Sequence, residues 1–221
     1  MSAQFQYLWL KHQAEAVEAI EQVFADVRFI EPVSVYANPT YSPHEAADTL
    51  RGNIERLREQ QHIAAGQVSV PHTATPALQL DVLMETGTGK TFTFIETVHR
   101  LHRKFGLSKF IVLVPSNAIR QGTLKSLQST AAFFAREYEN QKINVVNYSD
   151  KTVSGFIHAP NRGISVMVAT YQSYAGDKRL IHKRGVEANL FGKAKSYMEG
   201  LANIRRSEER RVGKECRSRW S

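Results

Sequence analysis

Residues Met84-Glu85-Thr86-Gly87-Thr88-Gly89-Lys90-Thr91 constrain this chain more than any other stretch. Before them Leu78, Leu80, Val82 and Met84 alternate with Gln79, Asp81 and Leu83, the two-residue period of a strand. After them Phe94, Ile95, Val98, Leu101 and Phe105 recur at helical spacing. A strand, a glycine-rich turn and a helix start, in that order, gather backbone N–H groups and the positive end of a helix dipole around one anion. The phosphate-binding pattern G-x-x-x-x-G-K-[ST] is complete in its Thr-Gly-Thr-Gly-Lys-Thr core, with Met84 standing where the first glycine is usual. Read this way, Thr86, Gly87, Thr88 and Gly89 wrap the phosphates of a nucleotide. Lys90 reaches the β- and γ-phosphates, and the Thr91 hydroxyl ligates Mg²⁺.

Composition enters only after the last sixteen residues, 206–221, are set apart. They resemble, codon for codon, a translated sequencing adapter and are expected to be a non-native, disordered tail; the alternative is a natural basic tail for nucleic acid. The tail holds the sole cysteine, Cys216, and without its six Arg/Lys and three Glu the formal net charge falls from +8 to +5. A balance that mild permits a nucleic-acid partner without requiring one. Residues 1–205 suffice for one globular domain and not for two large ones. With Cys216 set aside there is no disulfide framework and no thiolate metal site. Neither a signal leader nor an apolar run long enough to span a bilayer is evident, so a cytoplasmic protein without membrane contact is expected.

In chain order, residues 4–24 turn from an aromatic start (Phe5, Tyr7, Trp9) to a helical pattern carrying Ala14, Val17, Ile20, Val23 and Phe24. Gln13 opens it, and a glutamine can exchange hydrogen bonds with the two edge groups of adenine, although a surface glutamine is the commoner case. A proline-rich loop follows over residues 31–43. Ser42-Pro43-His44-Glu45 has the form of a capping box for a helix reaching to about Ile63. A second loop, 66–76, leads to the phosphate-loop strand, and Gly106 suits the stop of the helix after it. Residues 110–114, 143–148 and 164–169 read as three further strands, and the stretch after Ser116 reads as a helix interrupted at Gly122. Strands alternating with helices predict a parallel α/β sheet. Residues 185–205 are again helical in pattern, and the eight histidines, His99 and His102 among them, are expected on the surface.

Two later stretches, Phe110-Ile-Val-Leu-Val-Pro-Ser-Asn-Ala-Ile-Arg120-Gln121-Gly122 and Val168-Ala-Thr-Tyr-Gln-Ser-Tyr174, resemble motifs Ia and Ib of superfamily 2 helicases and translocases. Together with Leu10-Lys-His-Gln13, the phosphate loop and the connection Phe105-Gly-Leu-Ser-Lys-Phe110, they look closest to the Res subunit of type III restriction enzymes. The resemblance implies a three-layer, RecA-like P-loop NTPase domain with a parallel sheet, of which residues 1–205 are the N-terminal part, truncated before the strand that carries an Asp-Glu-Pro-His box. It implies ATP and Mg²⁺ as cofactors, with Gln13 reading adenine, Lys90 on the phosphates and Thr91 on the metal. It further implies that Pro115, Ser116 and Asn117, and then Thr170 and Gln172, hold the phosphates of the tracked strand; Ser116 and Asn117 equally suit an ordinary helix cap.

On this resemblance the full-length protein is an ATP-dependent translocase acting on double-stranded DNA and a site-specific endonuclease working with a type III methyltransferase (Mod) subunit. No catalytic residue is assigned within the fragment, which is expected to be inactive alone. The rivals are another superfamily 2 helicase, a non-hydrolysing nucleotide-binding module and a small-molecule phosphotransferase.

Overall fold

The computed structural model describes residues 10–32, 34–64, 68, 70, 78–149 and 151–174. The aromatic start, most of the 66–76 loop, the helical pattern over 185–205 and the tail therefore lie outside the described residues. Nine elements follow in order: α1 Lys11–Val23, α2 Pro43–Gln60, α3 Lys90–Phe105, β1 Lys109–Val114, α4 Asn117–Glu137, β2 Ile143–Asn147, α5 Val153–Ile157, β3 Ile164–Thr170 and α6 Tyr171–Tyr174.

Local chemistry sets most of these boundaries. The Ser42 hydroxyl accepts from the Glu45 N–H, and Pro43 fills the first position of α2, where its missing N–H costs nothing. Gly89 opens α3 from the left-handed region at φ +84°, and Gly106 closes it at φ +68° with its N–H on the His102 carbonyl. His102, Arg103 and Lys104 occupy the last turn, where cations complement the helix dipole. The expected interruption at Gly122 does not occur. A glycine inside a helix costs only about 1 kcal/mol, and α4 offsets this by burying Leu124, Leu127 and Phe134 on one stripe.

The sheet has the order β1-β3-β2, with both pairs parallel. β3 is central and every one of its residues is buried, as a strand covered on both faces must be. Its alternate side chains divide the core. Ile164, Val166 and Val168 meet Ile95 and Val98 of α3 and Leu124, Leu127 and Phe134 of α4, while Met167 and Ala169 meet Val153, Phe156 and Ile157 of α5. Helices thus cover both faces, the three-layer α/β arrangement expected. A third cluster joins α1 to α2 through Val23, Ala47 and Leu50.

The strand expected over residues 78–84 is not formed. Leu78 and Leu80 pack on the third cluster, but Leu83 is 89% exposed and the segment has no ladder partner among the described residues. Alternation shows which side chains could share a face, whereas a strand also requires a neighbour for its N–H and C=O groups. The outer edge of β1 likewise has no strand beside it among the described residues.

One buried side chain fastens the start of β1. Asn38 Oδ1 accepts from the Ser108 N–H, the Ser108 hydroxyl and the Lys109 N–H at 2.8–3.0 Å, and its Nδ2 donates to the Lys109 carbonyl at 2.9 Å. Lys109 itself is buried, donating from Nζ to the Tyr36 and Ile157 carbonyls, and burial lowers its pKa to about 8.

Candidate functional site

The glycine-rich turn is built as the sequence requires. Gly87 and Gly89 both have φ +84°, a conformation that a side chain disfavours. Gly89 is constrained twice, because a Cβ there would lie 2.2 Å from Gln13 Nε2. The Lys90 ammonium folds back over the turn, donating to the carbonyls of Met84 at 2.7 Å and Glu85 at 2.6 Å. The Thr88 hydroxyl also donates to the Glu85 carbonyl. Met84 contributes through its carbonyl, a group every residue type supplies, so its replacement of the usual glycine does not disturb this contact. Thr91 lies in the first turn of α3, half-buried, and Thr86 is exposed.

Gln13, far away in sequence, comes directly onto this turn. Its side chain is buried, and Nε2 donates to the Thr88 carbonyl at 2.9 Å. His12 Nε2 reaches the same oxygen at 3.0 Å. Gln13 is where the sequence points; His12 carries no sequence signal beyond its place beside that glutamine.

A chain of charges holds α1 in register with α3. Glu21 lies 3.0 Å from Arg100 and 2.6 Å from Lys104, and Arg100 continues to Glu96 at 3.3 Å, which also accepts from the Tyr138 hydroxyl. Burial alone would raise the Glu21 pKa, but the hydrogen bonds from Lys104 and Arg100 outweigh it and hold the carboxyl below its usual range. For Glu96 burial dominates and its pKa is raised. Since Gln13 meets Thr88 where both helices begin and Glu21 meets Arg100 and Lys104 farther along, α1 and α3 run in the same sense. Their positive ends therefore converge on the glycine-rich turn. A cleft of about 320 Å³ farther along α3, lined by Glu96, Arg100 and Tyr138 among others, contains no residue of the turn.

Both strand ends that resemble helicase motifs finish at the same level, since Val114 is in register with Thr170. Pro115, Ser116 and Asn117 follow β1 and are exposed, and the Ser116 hydroxyl caps α4 by accepting from the Ile119 N–H. Thr170 is buried and caps α6, accepting from the Ser173 N–H at 3.2 Å and donating to its hydroxyl at 2.8 Å. Gln172 is exposed. A short turn joins α3 to β1 and α3 packs back on the sheet, so the start of α3 is brought to this same carboxyl end. Ligands of open parallel sheets bind at that end.

His99 departs from expectation. It is 2% exposed, stacked against both Phe134 and Tyr138, rather than on the surface. The cause is α4, which lays its aromatic stripe over the face of α3 that carries His99. No group of three or more His, Cys, Asp or Glu suited to a metal ion occurs among the described residues, and no described helix is long and apolar enough to cross a membrane.

The family model described as "Type III restriction enzyme, res subunit" matches residues 6–198. The type III restriction-modification enzyme EcoP15I Res subunit of Escherichia coli is 31% identical over 170 residues, 69% of this chain and 17% of that protein. The EcoPI Res subunit of Escherichia phage P1 is 29% identical over 166 residues, with the same coverage of each. The StyLTI Res subunit of Salmonella typhimurium is 38% identical over 91 residues, 39% of this chain and 9% of its own length. The chain thus spans about 17% of the length of the first two relatives.

Proposed function

The chain belongs to the type III restriction enzyme Res-subunit family, and from that membership we propose that it carries the ATP-binding part of a DNA motor. The observation that carries this reading is the turn itself: two left-handed glycines, a helix start behind them and a lysine ammonium resting on neutral carbonyls over the loop. A phosphate oxyanion makes stronger, charge-assisted hydrogen bonds than a peptide carbonyl and would draw Lys90 from Met84 and Glu85. Backbone N–H groups of residues 86–89 would cradle the phosphates, with the Thr88 N–H released from the Glu85 carbonyl it meets here, and the Thr91 hydroxyl, at the first turn of α3, would hold Mg²⁺. Gln13 Nε2 has two hydrogens, so it can keep one on Thr88 while its amide reads the adenine edge. Bound MgATP supplies the phosphoanhydride whose cleavage drives the motor. No residue of this chain is assigned to the hydrolytic step.

The ends of β1 and β3 supply the DNA contact in this reading. Ser116, Asn117, Thr170 and Gln172 offer hydroxyl and amide side chains near one level of the sheet, and the backbone after Pro115 adds N–H groups, a set suited to holding a sugar-phosphate backbone without reading bases. In the whole protein the motor acts on double-stranded DNA, with the methyltransferase (Mod) subunit as partner and site-specific cleavage as outcome.

The test is Lys90→Ala in the whole protein, with DNA-dependent ATP hydrolysis as the measurement. Removing the charge on the phosphates should lower turnover by two or more orders of magnitude, roughly, while the melting temperature stays within a few degrees. Wild-type turnover would overturn the site. Nucleotide binding without any hydrolysis in the unmutated protein would favour a non-hydrolysing module instead.

A further inference from the structure

We propose that His12 is a second positioning residue of the nucleotide site, acting on the phosphate loop rather than on the base. The inference rests on the nucleotide reading above. Its starting point is that one carbonyl, that of Thr88, receives two side chains from the first turn of α1, Gln13 Nε2 at 2.9 Å and His12 Nε2 at 3.0 Å. A carbonyl only accepts, so His12 must carry its hydrogen on Nε2, and the two donors together fill both lone pairs of that oxygen.

The consequence follows from the planar, trans peptide. The C=O of Thr88 and the N–H of Gly89 belong to one rigid plane and point in opposite directions. Holding the oxygen on α1 therefore turns the Gly89 N–H away from α1, toward the side on which the loop receives its anion. Glycine flanks the peptide on both sides of Thr88, with Gly87 and Gly89 at φ +84°, so the backbone there has little stiffness of its own. A single donor would leave the peptide free to tilt about one hydrogen bond. Two donors from the first turn of α1 fix the plane, and the helix itself is tied to α3 farther along by the Glu21 pairs with Arg100 and Lys104.

The two residues then differ in what they recognise. Gln13 is buried beside Gly89 and serves both base and loop, whereas His12 is exposed and meets the loop through its hydrogen bond to Thr88. His12 should contribute to binding of any triphosphate, whatever its base.

The experiment measures dissociation constants of the whole protein for Mg²⁺ complexes of ATP, GTP and inorganic tripolyphosphate, in the parent and in His12→Ala, His12→Gln, Gln13→Ala and Lys90→Ala. His12→Ala should weaken all three by a similar factor, about tenfold, the equivalent of one hydrogen bond. His12→Gln, which places an amide N–H where Nε2 was, should recover most of it, and Gln13→Ala should in addition lose the preference for ATP over GTP. Parent-like tripolyphosphate binding by His12→Ala, beside a clear loss in Lys90→Ala, would overturn the role of His12 and leave the site standing. A loss confined to ATP would also overturn it, as would a loss that His12→Gln fails to recover. Parent-like binding by Lys90→Ala would instead remove the nucleotide reading on which the inference stands.

Discussion

The imidazole of His99 lies 4.7 Å from the ring of Tyr138, inclined by 20°, with Phe134 stacked at 5.2 Å. Neither ring nitrogen has a hydrogen-bond partner among the described residues, and burial, helped by the nearby His102, lowers the His99 pKa to about 4 from an ordinary 6.5. Between those values the unfolded chain takes up a proton that the folded one refuses. His99 therefore leaves stability intact above pH 6.5 and drains it as pH falls toward 4, by about 3 kcal/mol in full. Glu96 works in the opposite sense, since burial raises its pKa. His99→Phe keeps the stacking and should flatten the acid side of the stability profile relative to the parent. Urea titrations between pH 4 and 7 check this, and an unchanged slope would count against it.

Asn38→Ala removes four hydrogen bonds at the entrance to β1 and leaves the Ser108 and Lys109 N–H groups and the Lys109 carbonyl buried without it. Each stranded group costs about 1–3 kcal/mol, so the substitution should lose on the order of 3 kcal/mol or more. Chemical denaturation gives the value, and a loss below about 1 kcal/mol would mean that water takes over the role of the asparagine.

How far the sequence reached can be judged from such residues. Strand Ile164–Thr170 and helix Lys90–Phe105 were legible because their apolar periods and terminal glycines are local. Asn38 was not, since nothing near it in sequence says that it will meet Ser108 and Lys109. His99 was misplaced for the same reason: its burial depends on aromatic rings of α4, more than thirty positions on. The run 78–84 failed in the converse way, having the period of a strand but no neighbour to pair with among the described residues. At the loop, the glycines and Lys90 announced themselves, whereas the convergence of His12 and Gln13 on Thr88 is a property of how α1 lies along α3.

Gly89→Ala should damage the loop by two separable routes. A left-handed alanine costs about 1–2 kcal/mol, and its Cβ would press on Gln13 Nε2 at 2.2 Å. MgATP binding should fall roughly five- to thirtyfold on the first route alone. Adding Gln13→Ala relieves the contact and not the backbone, so the double variant should bind tripolyphosphate better than Gly89→Ala and still worse than Gln13→Ala. Equal binding by all three would remove both constraints.

The proposed DNA contacts need variants that leave helix caps alone. Ser116 and Thr170 cap α4 and α6, and their loss mixes stability with binding; a cap is worth about 1 kcal/mol. Asn117 and Gln172 are exposed, and neither side chain caps a helix. Asn117→Ala and Gln172→Ala should weaken DNA binding by a similar factor on unrelated sequences, with unchanged melting. A loss restricted to one recognition sequence, measured by fluorescence anisotropy on two duplexes, would contradict a backbone contact.

The strand order β1-β3-β2 has a consequence for how the chain is made. Both outer strands pair only with β3 among the described strands, and β3 is synthesised last of the three. At about 5–20 residues per second, β1 waits on the ribosome for roughly three to eleven seconds before Thr170 follows Val114. During that interval α3, β1, α4 and β2 emerge with apolar faces and no ladder to close them, the condition in which a nascent chain is most exposed to chaperones and to its neighbours on the same message. Protease treatment of ribosome-bound chains of increasing length should find Phe110 to Val114 unprotected until β3 has cleared the exit tunnel.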